Sequence, residues 1–239
     1  MRSVVLYHLS FVIRNSSFVI LIHPMPTHIR KLISEGEHQQ LDFKFGITDS
    51  KKIARSLAAF ANTDGGRLLL GVKDNGTIAG VRSDEEYYMV EAGASLYCRP
   101  EVYFEMKEWE ENGKAVLEII IPKSFAGPHS APDKEGVYRV FVRVGDENYP
   151  ANGVLRKVWN KQKDPKGVCI EYTVIERTLL AYLEIHESIT LQAFKKLSGY
   201  SKQRCEHILA DFIVLNIIKL NYSATGEFYT LNPDYRFDQ

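Results

Sequence analysis

The sequence predicts an α+β protein in two parts. A mixed α/β domain spans residues 25–160, and a mostly helical domain that ends in a hairpin spans 168–239. Three observations lead there. Between residues 40 and 144, short apolar strands alternate with two amphipathic helices. Residues 161–167, KQKDPKG, are polar, basic and broken by proline, which is linker composition. Beyond Gly167, three helical periods precede two alternating segments, 217–222 and 227–231, set around Ala224-Thr225-Gly226.

The elements of the first domain follow in order. Ile29, Leu32 and Ile33 have the spacing of a short helix stopped by Gly36. Residues 40–45 alternate as a strand with Leu41, Phe43 and Phe45 on one face. Asp42 and Lys44 lie on the other face, away from the core. Asp49 or Ser50 caps a helix whose apolar side is Ile53, Leu57, Phe60 and Ala61. Asn62-Thr63-Asp64-Gly65-Gly66 stops it. Residues 67–72, RLLLGV, are apolar enough for a strand buried on both faces. Asp74-Asn75-Gly76 is a hairpin turn, with 77–81 as the returning strand. Ser83 caps a helix reaching about Tyr97. Residues 102–109 and 115–121 form a second hairpin around Asn112-Gly113. A Gly/Pro loop leads to a strand at 137–144 and a short helix at 154–160.

In the second domain, helices are predicted at 173–187 and 190–197, and a third follows the Ser201 cap with Ile208, Leu209, Phe212 and Ile213 facing inward. Helix, helix, turn, helix, hairpin is the order of a winged helix-turn-helix.

The net charge is zero but unevenly spread. Residues 25–154 carry −4, residues 155–167 carry +4 and residues 168–239 carry −2. A nucleic-acid surface is therefore a local patch rather than a basic domain. Cys98, Cys169 and Cys205 lack metal-ligand spacing and read as reduced buried thiols of a cytoplasmic protein. The apolar run in residues 1–24 is broken by Arg14 and Asn15, too short to span a bilayer. It ends without a small-residue cleavage site and repeats SFVI at 10–13 and 17–20. We expect a non-native or disordered extension, with Met25 as the true start, and no membrane association.

Glu37, Asp42 and Asp74 flank the first helix–strand unit. Three carboxylates at one sheet edge would suit Mg²⁺ or Mn²⁺, with Lys44 placed for a phosphate. Acids at strand edges and turns are also ordinary structural features, and Asp74 suits the first place of its turn; spacing alone favours that reading. No G-x-x-x-x-G-K-[ST] occurs, so there is no ATP-site motif. The third helix of the tail begins Lys202, Gln203, Arg204 and includes His207, residue types that read base edges from a recognition helix. Glu206 and Asp211 oppose phosphate, and residues 221–226 hold no Lys or Arg. His129 and His186 have no triad partner, so neither is expected to hold a ligand. Tyr87, Tyr88, Tyr97 and Tyr103 are expected to be packing residues.

The central blocks resemble a known family. Glu37-His-Gln-Gln-Leu-Asp42-Phe43-Lys44 is followed by Ala59-Phe60-Ala61-Asn62-Thr63-Asp64-Gly65-Gly66. Then come Gly71-Val72-Lys73-Asp74, Gly80-Val81 and Arg143-Val144-Gly145. Residues 30–155 thus resemble the Schlafen AlbA-like domain, and bacterial relatives join one such domain to a winged helix. The resemblance implies two functions. Animal Schlafen proteins cleave tRNA and rRNA with three acids, which here map to Glu37, Asp42 and Asp74. The second acid is usually Glu, and a closed groove would need a dimer of this single copy. The bacterial arrangement resembles transcriptional regulators.

The favoured expectation is a cytoplasmic DNA-binding regulator, with DNA preferred over RNA, as a homodimer. Lys44, Arg67 and Arg143 would contact phosphates, and Lys202, Gln203 and Arg204 would read sequence. The alternative is an Mg²⁺- or Mn²⁺-dependent endoribonuclease using Glu37, Asp42 and Asp74. A third reading is a protein–protein interaction module. No other cofactor is expected.

Overall fold

The computed structural model describes residues 7–14, 17–24, 27–81, 85–165, 167, 169–170, 172–223 and 225–235. The chain divides into two units, Met1–Pro150 and Ala151–Gln239, and its sheets and helices make it an α+β protein.

The first unit begins with β1 (Tyr7–Arg14) and β2 (Ser17–Pro24), an antiparallel hairpin. The repeated SFVI segments face each other in it, with Phe11 opposite Ile20, Val12 opposite Val19 and Ile13 opposite Phe18. The described part of the expected loose extension is therefore a paired strand hairpin.

Next come α1 (His28–Glu35), β3 (Leu41–Lys44), α2 (Ser50–Asn62), β4 (Gly66–Leu70) and α3 (Glu85–Ser95). They are followed by β5 (Glu105–Glu111) and β6 (Lys114–Ile121). The sheet order is β3-β4-β6-β5, with β3 and β4 parallel and the other pairs antiparallel. A parallel pair needs a long crossover, and α2 supplies it. Three further strands, β7 (Ser130–Pro132), β8 (Tyr138–Val144) and β9 (Glu147–Pro150), form an antiparallel sheet.

The central strands of the four-stranded sheet are covered on both faces. On one face Leu41, Phe43, Leu69 and Val116 pack with Ile29 and Leu32 of α1. On the other, Leu68, Leu70 and Ile119 pack with Leu57, Phe60 and Ala61 of α2. The expectation that Asp42 points away from the core is overturned. Its face of β3 is the one α2 and β8 cover, and Asp42 is buried. The returning strand expected at 77–81 is reduced to a single bridge, Val72 to Ile78. The edge of β4 is taken by β6, and Val81 N–H donates to Ala115 O. The Ser83 cap lies outside the described residues.

The Gly-Gly turn has a steric cause. Gly65 has φ +68°, and a Cβ there would stand 2.7 Å from Ile121 O and 2.8 Å from Lys123 N. A Cβ on Gly66 would overlap the Phe60 ring and stand 2.9 Å from Gln40 O. Both glycines let β4 start in close contact with β6 and the end of α2.

The second unit contains α4 (Gly153–Gln162), α5 (Val174–His186), β10 (Ser188–Ile189), α6 (Leu191–Ser198) and α7 (Lys202–Val214). The hairpin of β11 (Ile218–Ser223) and β12 (Gly226–Leu231) completes it, with sheet order β10-β12-β11. Thr173 and Glu176 form a capping box on α5, Thr190 caps α6, Gly199 ends α6 in the left-handed region, and Ser201 caps α7.

The division falls between Pro150 and Ala151, ahead of the 161–167 segment read as a linker. The reason is α4, which runs into that segment and buries Val154 and Val158 in the second unit's core with Leu209 and Phe212. Lys157 pairs with Glu206 at 3.6 Å and Lys161 with Asp211 at 2.6 Å, so part of the basic charge of residues 155–167 is spent on α7. Cys98 and Cys205 are buried, whereas Cys169 is exposed and so departs from the buried-thiol expectation. Among the described residues no helix is long and apolar enough to cross a membrane.

Candidate functional site

The site is built where the end of β3 meets α2 and β8. Asp42 sits at its base, buried to 3% exposure. Lys44, two residues on along the same face of β3, places Nζ 2.9 Å from Asp42 Oδ1 and 2.8 Å from Oδ2. From β8, Arg143 brings Nη2 to 3.4 Å from Asp42 Oδ1. Two cations thus hold one carboxylate.

Arg143 is itself only 2% exposed. Nη2 donates to the carbonyls of His38 (3.4 Å) and Leu41 (3.3 Å), and Nη1 to Asn148 Oδ1 (3.4 Å). Its guanidinium carbon lies 4.9 Å from the centre of the Phe60 ring. Asn148 Nδ2 donates onward to Ser56 Oγ at 3.1 Å. Arg143 was expected to contact phosphate; the structure makes it an internal brace instead.

The family-like blocks cross-link around this brace. Asn62 Nδ2 donates to His129 O and Phe141 O, both at 2.8 Å, and Asn62 Oδ1 accepts from His129 N at 2.7 Å. Thr63 Oγ1 accepts from Arg143 N at 3.0 Å. Gln39 Nε2 donates to Arg143 O and Asp64 Oδ2, and Gln39 Oε1 accepts from Gly145 N. The A-F-A-N-T-x-G-G and R-x-G stretches therefore tie α2 to β8.

The three predicted acids are not brought together. Glu37 lies beside Asp42 and accepts from Phe43 N at 2.8 Å. Asp74 is exposed in its turn and has no hydrogen-bond or ion-pair partner among the described residues. Among those residues no three His, Cys, Asp or Glu side chains are grouped to hold a metal ion. With Asp42 already neutralised by Lys44 and Arg143, this arrangement does not fit a three-carboxylate cation site.

Burial raises the Glu37 carboxyl above its ordinary 4.5, and the hydrogen bond and charge of Asp42 add to it; the Phe43 N–H and Lys44 pull the other way. The folded state therefore holds a proton here that the unfolded chain releases. That contribution is fully present below 4.5 and is lost as pH rises through the raised folded value. Glu37→Gln, which fixes the neutral form, is expected to flatten the fall in stability between 4.5 and the raised folded value. Urea unfolding of both proteins from about pH 4 to pH 7 measures it.

Arg67 does not join the site. It alternates with Leu69 on β4 and so lies on the α1 face of the sheet, opposite Asp42 and Lys44. There its Nε lies 3.0 Å from Oε1 of the buried Glu118, whose carboxylate also accepts from Trp109 Nε1 at 2.9 Å. Lys44 and Arg67 cannot line one groove.

Around Asp42 a cavity of about 360 Å³ opens between α2, β8 and the turn after β7. Lys44, Lys52, Arg55, Lys134 and Arg143 line it against Asp42, Asp133 and Asp146. Asp133 is already bonded to Arg139 Nε at 2.6 Å. Lys52, Arg55 and Lys134 escaped the sequence reading. The signal was there for two of them, since Lys52 and Arg55 are three apart on the polar side of α2.

In the second unit, Lys202, Gln203, Arg204 and His207 are all exposed on the first two turns of α7. Arg204 stacks on the Tyr200 ring at 4.4 Å, and Lys202 approaches the largely buried Glu206 at 3.9 Å.

No curated protein matches the chain. Among solved structures, the DIP2311 protein of Corynebacterium diphtheriae is 22% identical with a TM-score of 0.41. The match covers 62% of this chain and 36% of that one, so the chain spans about a third of that protein's length. The N-terminal domain of a RecG-related protein from Nitrosomonas europaea is 20% identical with a TM-score of 0.32, covering 62% of this chain and 98% of that one. The family model described as Schlafen, AlbA_2 matches residues 37–152. Over that segment, which holds every block cross-linked around Arg143, the chain is similar to the AlbA-like Schlafen family.

Proposed function

We propose that the protein is a DNA-binding regulator whose second unit acts as a winged helix-turn-helix with α7 as its recognition helix. The observation that carries this reading is the exposure of Lys202, Gln203, Arg204 and His207 together at the N-terminal end of α7. Arg and Lys bond guanine, and Gln bonds adenine, from that position in the major groove. The succession α5, β10, α6, α7 and the β11–β12 hairpin supports it. The tip of that hairpin, residues 221–226, has no Lys or Arg, so phosphate contacts fall mainly to α7 and to the AlbA-like unit. There Lys52, Arg55 and Lys134 join Lys44 in lining one cavity, while Arg67 lies on the opposite face of the sheet and Arg143 is buried.

A gel shift on the gene's own upstream DNA tests this, beside an unrelated duplex of equal length and an RNA of the same sequence. K202E/R204E is expected to weaken binding by about tenfold or more per side chain and to lower the salt slope. An unchanged shift removes α7 from the interface, and tighter binding of RNA rejects the DNA reading.

A further inference from the structure

We propose that the first unit binds a small organic molecule with a flat apolar body and an amine or N–H donor, in a cavity between the end of α2, α3 and the 122–129 loop. The cavity measures about 500 Å³ and shares no lining residue with the one around Asp42. Its size is in the range of small-ligand sites. Ala61, Ala94, Val102, Phe104 and Pro122 give it apolar walls. Glu91 and Glu101 line it against a single cation, Lys123, which lies 3.9 Å from Asp64. The balance is acidic and disfavours an anionic ligand.

His129 supplies the polar anchor in the wall. Its Nδ1 lies 2.9 Å from Pro100 O. A carbonyl only accepts, so Nδ1 carries a hydrogen, and in that tautomer of an uncharged imidazole Nε2 is an acceptor. Nε2 is buried and has no hydrogen-bond partner among the described residues. A buried acceptor left unmade is unfavourable, and turning the His129 ring toward the cavity that it lines, to meet a ligand N–H, would relieve that. The His129 backbone is held in place from behind, since Asn62 bonds both its N–H and its carbonyl. Tyr103, which lines the cavity, is 67% exposed and offers aromatic surface to a ligand. Tyr103 was expected to pack and His129 to be inert; exposure of the one and the lone pair of the other point to a site instead. The inference stands apart from the DNA-binding reading.

Titration of the full chain with tryptamine, indole and indole-3-acetate, followed by amide NMR, tests it. Tryptamine and indole, at up to about 10 mM, are expected to shift the amides of Ala94, Val102 and His129. Indole-3-acetate is expected to bind at least about tenfold more weakly than tryptamine. E91Q/E101Q changes two exposed side chains, and it should bring tryptamine down to the affinity of indole. His129→Phe should weaken both by about tenfold. If His129→Phe fails to fold, the double variant carries the test. Equal affinity for the three probes, shifts confined to other residues, or unchanged tryptamine binding by E91Q/E101Q would overturn the proposal.

Discussion

Arg143→Met is expected to cost about 3–5 kcal/mol of unfolding free energy, the largest loss of any single polar substitution in the first unit. Methionine keeps much of the stem's volume but removes the charge. Asp42 would then be a buried carboxylate with Lys44 as its one remaining cation, and the carbonyls of His38 and Leu41 would lose their Nη2 donor. Urea denaturation measures the loss. D42N/R143M removes both charges and should recover part of it, since breaking one side of a buried pair is worse than removing the pair. A loss below about 1 kcal/mol for R143M would show that Arg143 does not brace the site.

Asn62→Ala is expected to cost about 2–4 kcal/mol. The substitution strands three buried groups at once, namely the His129 N–H and the carbonyls of His129 and Phe141. Thermal unfolding gives the global effect, and amide exchange at His129 gives the local one. Asn62→Asp keeps the acceptor for His129 N but loses both donors, so it should do no better than alanine. Rapid exchange at His129 with unchanged exchange along α2 would place the damage in the cross-link itself, beside the cavity that His129 lines.

Much of the local structure was legible in the chain. The expected caps Asp49 and Ser201 stand where their side chains bond the first free N–H groups of each helix, a contact made within three residues, and Thr173 and Thr190, read as first helical residues, cap theirs in the same way. The Gly65-Gly66 stop and the 112–113 turn are similarly local. Elements whose boundaries depend on distant partners were harder to read. The 77–81 segment has a good hairpin turn, yet β6 occupies the edge it would have paired with. The 161–167 segment has linker composition, yet α4 extends into it because Val154 and Val158 bury against α7.

The candidate site shows the same division. Spacing grouped Glu37, Asp42 and Asp74 with Lys44 nearby, and the family resemblance added Arg143; in the fold Glu37, Lys44 and Arg143 meet at Asp42 and Asp74 does not. Strand alternation gave Asp42 a solvent-facing direction because a single strand cannot show whether its second face is covered. Arg67 had the right chemistry for phosphate, but the parallel pairing of β3 with β4 puts it on the opposite face from Lys44. Lys134 comes from a turn some eighty residues after Lys52, so only folding could bring them to one cavity.

By itself the sequence determined the helices, their caps, the buried strands and the block of residues shared with the AlbA-like family, because those depend on periodicity and on bonds between near neighbours. Tertiary structure decided which charges are spent and which are free. Ion pairing is settled by what lies across a sheet face or at the end of a helix. Packing therefore made Asp42 and Arg143 a brace, left Asp74 apart, and kept Lys52, Arg55 and the start of α7 available for a partner.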